Sequence, residues 1–118
     1  MYNYFMFVGR VSKEPDFVTF PDGKKVVNVS LAVSRGFKNT KGEIETDFFV
    51  VAFWEFLVDF ILENIKVGMP VGIKGRIQNT PRTLANNFQL PVPQFIGERI
   101  FIFSDVLSNS TEEEKNED

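Results

Sequence analysis

The sequence contains no cysteine and no histidine. Without cysteine there are no disulfides and no thiolate metal site. Without histidine there is no imidazole ligand, no imidazole general base and no Ser-His-Asp or Cys-His nucleophile pair. No run approaches the 18 apolar residues of a membrane span, and no signal-type apolar stretch opens the chain. No phosphate-binding loop of the G-x-x-x-x-G-K-[ST] type occurs. Asp16 with Asp22, or Glu43 with Glu45 and Asp47, are the only acidic groupings worth weighing as metal ligands, and turn or charge-balancing roles account for them. The expectation is a non-enzymatic protein of the cytoplasm without metal or cofactor.

A net positive charge is also missing: the formal charge is −3. The deficit is local, however. Residues 111–118 (TEEEKNED) carry five acids and one lysine, which leaves 12 basic and 11 acidic side chains on residues 1–110. A near-neutral body of this kind can carry a basic face. The expected organisation is one domain over residues 1–108 and an acidic disordered tail over 109–118.

Phenylalanine, by contrast, is abundant, with 14 of 118 residues. Its placement in Thr46–Trp54 (TDFFVVAFW) is telling. Strand alternation puts Phe49, Val51 and Phe53 on one face and Phe48, Val50, Ala52 and Trp54 on the other. The first set reads as core. The second has two large rings separated by small residues, a surface suited to stacking nucleic-acid bases.

Other strands follow the same period. Tyr4–Ser12 alternates Phe5, Phe7 and Val11 with Met6, Val8 and Arg10, and Gly9 interrupts the inner row where a bulge or a close backbone contact is expected. Phe17–Phe20 forms a short strand before the turn Pro21-Asp22-Gly23. Val26–Ser34 has Val27, Val29, Leu31 and Val33 inward. Arg35–Glu43 is a polar hairpin tip with Phe37 as its conspicuous apolar residue. Glu55–Lys66 carries Phe56, Leu57, Phe60, Ile61 and Ile65 at helical spacing and predicts a helix burying Phe56 and Phe60. Gly68 and Pro70 end it. Val71–Gln78 is a strand with Lys74 and Arg76 outward. Asn79–Gly97, with Pro81, Pro91 and Pro93, predicts a long loop that Phe88 and Phe95 pin to the body. Arg99–Leu107 predicts a last strand covered on both faces. Apart from the short piece at Phe17–Phe20, five strands with one helix between the third and fourth long strands is the order of an all-β, five-stranded OB-fold barrel.

The segments MYNYFMFVGRV, PDGKKVVNVSLAVSR, FKNTKGEIETDFFVVAFW and VGMPVGIKGRIQ run in this order over residues 1–78. In combination they resemble bacterial single-stranded DNA-binding proteins. The resemblance implies an OB-fold, binding of single-stranded DNA without strong sequence preference in replication, recombination and repair, and a homo-oligomer, tetramer favoured and dimer as the alternative. It places Phe37, Phe48 and Trp54 at base-stacking positions and Arg35, Lys74 and Arg76 along the DNA path. With Lys38 and Arg82, these cations are the candidate phosphate contacts. Arg82 stands near a place where the family often has a further aromatic. The resemblance also puts Tyr2, Tyr4 and Met6 near a subunit contact. In the family an acidic tail ending in a hydrophobic pair recruits replication proteins; residues 111–118 hold the acids but end in Glu-Asp, so the resemblance does not extend to that recruitment. Two other readings remain open on the same residues: a primosome-type OB-fold accessory protein, and an OB-fold interaction module using the exposed aromatics as hot spots.

Overall fold

A computed structural model describes residues 1–103; the acidic tail expected at 109–118, and the last residues of the strand expected to reach Leu107, lie outside the described residues. Six strands and one short helix follow in order: β1 Phe5–Val11, β2 Asp16–Thr19, β3 Lys25–Lys38, β4 Ile44–Trp54, a single 3₁₀ turn Glu55–Leu57, α1 Val58–Asn64, β5 Pro70–Thr83 and β6 Gln89–Ile102. The sheet order is β1-β5-β6-β4-β3-β2, and β1 also pairs with β3 through Arg10↔Ala32 and Val11↔Leu31. That second pairing closes a five-stranded barrel, with β2 continuing along the edge of β3. Only the β4–β6 contact is parallel. The expected barrel is therefore present, with the helix between β4 and β5 once the short β2 is counted.

Period-2 patterning builds the interior as expected. Val27, Val29 and Leu31 of β3, Val51 and Phe53 of β4, and Val71 and Ile73 of β5 are fully buried. Each such side chain is worth roughly 1.5–3 kcal/mol of transfer free energy. A second layer is aromatic: Phe7 stacks on Phe49 with centroids 4.3 Å apart, and Phe95 packs edge-on against Phe5, Phe7 and Phe49. Phe95 thus pins β6 to the barrel. At Gly9, a Cβ atom would lie 2.3 Å from the Ala32 carbonyl oxygen, the close backbone contact that its place in the inner row predicts.

Three expectations are corrected. First, Asn79–Gly97 is not a loop. β5 and β6 pair continuously from Asn79↔Pro93 to Thr83↔Gln89 and form a long two-stranded arm whose turn is closed by Leu84 and Phe88. Pro81 faces Pro91 and Pro93 faces Asn79, so all three prolines occupy the same phase of the ladder. An antiparallel ladder uses the N–H groups of alternate residues only, so prolines in one phase leave it intact. Phe88 is exposed at the arm's tip and pins nothing.

Second, the helix is shorter and rotated. The 3₁₀ turn shifts its phase, so Val58, Ile61 and Ile65 are buried, while Phe56 is 83% and Phe60 41% exposed. Third, the last strand begins at Gln89 rather than Arg99, and it is not covered on both faces, since Glu98, Arg99 and Phe101 are exposed. Among the described residues no helix is long and apolar enough to cross a membrane.

Candidate nucleic-acid interface

β4 presents the row that its alternation requires. Phe48 and Val50 are exposed, at 69% and 54%. Ala52 is buried with Val26 and Ile96, and Trp54, half-buried, packs against that small cluster. Trp54 therefore has a packing role and an open surface at once. Its ring also meets Phe20, with centroids 5.5 Å apart and planes 15° from parallel.

Three grooves run along this side of the barrel. One, of about 640 Å³, is lined by Trp54, Phe20, Lys24, Arg76, Gln78 and Ile96 among others. A second, of about 440 Å³, has Phe48, Val50 and Ala52 on one side and Pro93, Gln94 and Phe95 on the other. Pro93 and Gln94 also line the third, of about 310 Å³, together with Thr80, Pro81 and Arg82. Because Ala52 and Ile96 are register partners between β4 and β6, the first two grooves are neighbours, and shared residues join the second to the third. The tertiary structure thus brings together Trp54, Phe48, Arg76 and Arg82.

Beside Arg76, β6 carries a bulge. Lys74 pairs with Arg99 and Gly75 with Gly97, which leaves Glu98 as an extra residue in β6. The Arg76 guanidinium lies 3.7 Å from the Glu98 carboxylate and donates to Gln78 Oε1 at 3.3 Å. Lys74, two residues earlier, does not line these grooves. It pairs with Met6 of β1, and its Nζ sits 5.8 Å from the centre of the Tyr4 ring.

Phe37, Arg35 and Lys38 lie on the second arm, formed by the ends of β3 and β4. The register jumps there from Ser34↔Thr46 to Lys38↔Ile44, and Gly36 takes a positive φ of 80°. The irregular segment leaves Phe37 67% exposed. It also turns Arg35 onto its own chain. Arg35 donates to both Asp47 carboxylate oxygens, at 2.9 and 3.0 Å, and pairs with Glu45. The hydrogen bond to Asp47, then its charge and that of Glu45, push the Arg35 pKa up further. The same bond holds the Asp47 carboxyl below the usual carboxylate range. Asn39 stabilises the tip: its Oδ1 accepts the backbone N–H groups of Lys41 and Glu43.

Sequence reasoning missed Phe20. It lies just past a four-residue strand too short for alternation to assign a face, and the only available signal was an aromatic placed directly before Pro21-Asp22-Gly23.

The family model of the single-strand binding protein family matches residues 2–89, most of the described chain. The chain belongs to this family. It is 41% identical over 78 residues to single-stranded DNA-binding protein B of Bacillus subtilis, a match covering 66% of the chain and 69% of that protein. It is 33% identical over 112 residues to the single-stranded DNA-binding protein of Halalkalibacterium halodurans, covering 95% of the chain and 60% of the relative. Against the Bacillus cereus protein the match spans only 46% of the relative's length. Among solved structures, the Plasmodium falciparum SSB in complex with ssDNA has a TM-score of 0.71 at 23% identity, covering 87% of the chain and 96% of that structure. At that identity the likeness establishes the OB-fold alone.

Proposed function

We propose that the chain binds single-stranded DNA without sequence preference, coating it during replication, recombination and repair. The observation that carries this is the face shared by β4 and the β5–β6 arm, where Trp54 and Phe48 alternate with Arg76 and Arg82 along adjoining grooves. Single strands offer exposed base faces and phosphates. Stacking on an aromatic ring is worth roughly 1–3 kcal/mol per base and tolerates any base. Arg76, Arg82, Lys74 and Lys38 supply phosphate contacts, and Phe37 a third ring on the second arm. Arg35 contributes little charge while Asp47 and Glu45 hold it. The role is binding, with no chemical step, and its place of action is the bacterial cytoplasm at the nucleoid.

We further infer a homo-oligomer, tetramer favoured and dimer as the alternative. β1 pairs with β3 only through its last two residues and Gly9 packs closely on Ala32, so the edge from Phe5 to Val8 is open. Tyr4, Met6 and Val8 are exposed there, at 65%, 48% and 55%. An open strand edge with apolar side chains fits a second copy.

The test is titration with dT oligomers of increasing length at two salt concentrations, following emission from Trp54, the only tryptophan. Quenching, preference over duplex and a salt slope of about −3 per protomer are expected, four phosphate-contacting cations contributing roughly −0.7 each once a phosphate displaces Glu98 from Arg76. Absence of quenching together with absence of a gel shift sinks the reading.

A further inference from the structure

We propose that Phe20 is a base-contacting residue, forming with Trp54 a two-ring platform on which one base of a single strand stacks. The inference deepens the single-strand reading of the groove and rests on it. Phe20 is not positioned by chance contact. Its backbone N–H donates to the Lys24 carbonyl at 2.8 Å, and its carbonyl accepts from Gly23 N–H at 2.9 Å. Asp22 Oδ1 accepts the Lys24 N–H at 3.1 Å. These bonds close the turn after β2 and hold the ring against Trp54, with centroids 5.5 Å apart and planes 15° from parallel.

Phe20 is nevertheless 40% exposed, and both rings line the same groove of about 640 Å³. Arg76 borders that groove from β5 and Lys24 from the turn. Two flat apolar surfaces beside two cations match a planar base carrying an attached phosphate. Lys24 meets such a phosphate directly, and Arg76 does so on exchanging Glu98 for it; Asp22 also lines the groove. Because the rings are already stacked, binding does not have to order them first, which removes an entropic cost that a mobile side chain would impose.

A merely structural Phe20, holding Trp54 in place, is separable from this by chemistry. Phe20→Leu keeps an apolar side chain of similar bulk but has no π-face. Phe20→Tyr keeps the ring. The 118-residue chain and these variants, with Phe20→Ala, are titrated with dT oligomers, and an oligomer carrying 5-iodouracil is photocrosslinked and mapped by mass spectrometry. Expected are a roughly 5- to 150-fold loss of affinity for Leu and Ala, near-wild-type binding for Tyr, and a crosslink on the peptide containing Phe20. The salt slope stays unchanged, because no charge is removed. Wild-type affinity in Phe20→Leu, or tighter binding by Phe20→Ala, overturns the proposal and leaves the single-strand reading standing. A wild-type chain that binds no dT overturns both.

Discussion

Asp47 precedes Phe48 in β4, on the opposite face of the strand, and holds Arg35, two residues from Phe37, so an acid and a base neutralise each other on the second arm. Replacing Asp47 by Asn loosens this clamp, leaves Glu45 as the acidic partner of Arg35, and removes one negative charge from the second arm. Tighter binding and a salt slope steeper by about 0.7 are expected in the dT titration. The same pair has a pH signature. Asp47 has a lowered pKa in the folded chain, so its contribution to stability is complete above the unfolded carboxylate value of roughly 4 and is lost as pH falls through the lower native value. Thermal unfolding followed between neutral and acid pH should lose this contribution in wild type and show no such loss in Asp47→Asn. Both groups are exposed to solvent, so the effect is small. At the rings, Phe37→Ala with Phe48→Ala should weaken binding by at least tenfold while the melting temperature barely moves, since both are about two-thirds exposed. A large drop in melting temperature would mean that these rings hold the barrel together.

Among the elements, the β5–β6 arm departs most from its expectation. Residues 78–91 are exposed throughout, so the arm adds backbone pairing and little core. Replacing its distal part, residues 80–91, by a short turn should leave thermal stability nearly unchanged. It should lower affinity and flatten the salt slope by about 0.7 through loss of Arg82. Gly97 is the opposite case. A Cβ there would come within 2.3 Å of the ring of Phe53, which is fully buried and cannot swing aside. Gly97→Ala should therefore cost about 1–3 kcal/mol in a denaturant melt, the usual cost of overpacking a core. The prolines and the 3₁₀ turn explain why these elements were misread. Prolines at alternate positions look like loop punctuation until their shared ladder phase is known, and one 3₁₀ turn moves Phe56 and Phe60 from the expected buried stripe into solvent.

At the scale of the molecule, charge and the open β1 edge set behaviour. Removing residues 111–118 takes away a net charge of −4. If the tail competes with DNA for the basic face, affinity at low salt should rise and the difference should fade at high salt. Met6→Lys with Val8→Lys places charge on the exposed β1 row and should convert the proposed oligomer into smaller species in sedimentation, with the barrel still folded. An unchanged sedimentation coefficient would place the subunit contact elsewhere.

The barrel and its inner rows were legible in the residue order, because alternation is a local property: Val27, Val29 and Leu31 point one way whatever they pair with. The outward position of Phe48 follows from the same rule. The meeting of Phe20 with Trp54, of the Arg82 groove with the Phe48 groove, and of Arg35 with Asp47 does not. These contacts depend on strand register and on closure of the ring through β1 and β3. Alternation assigns each side chain a face, whereas pairing between distant strands assigns it a neighbour, and the candidate interface is made of neighbours.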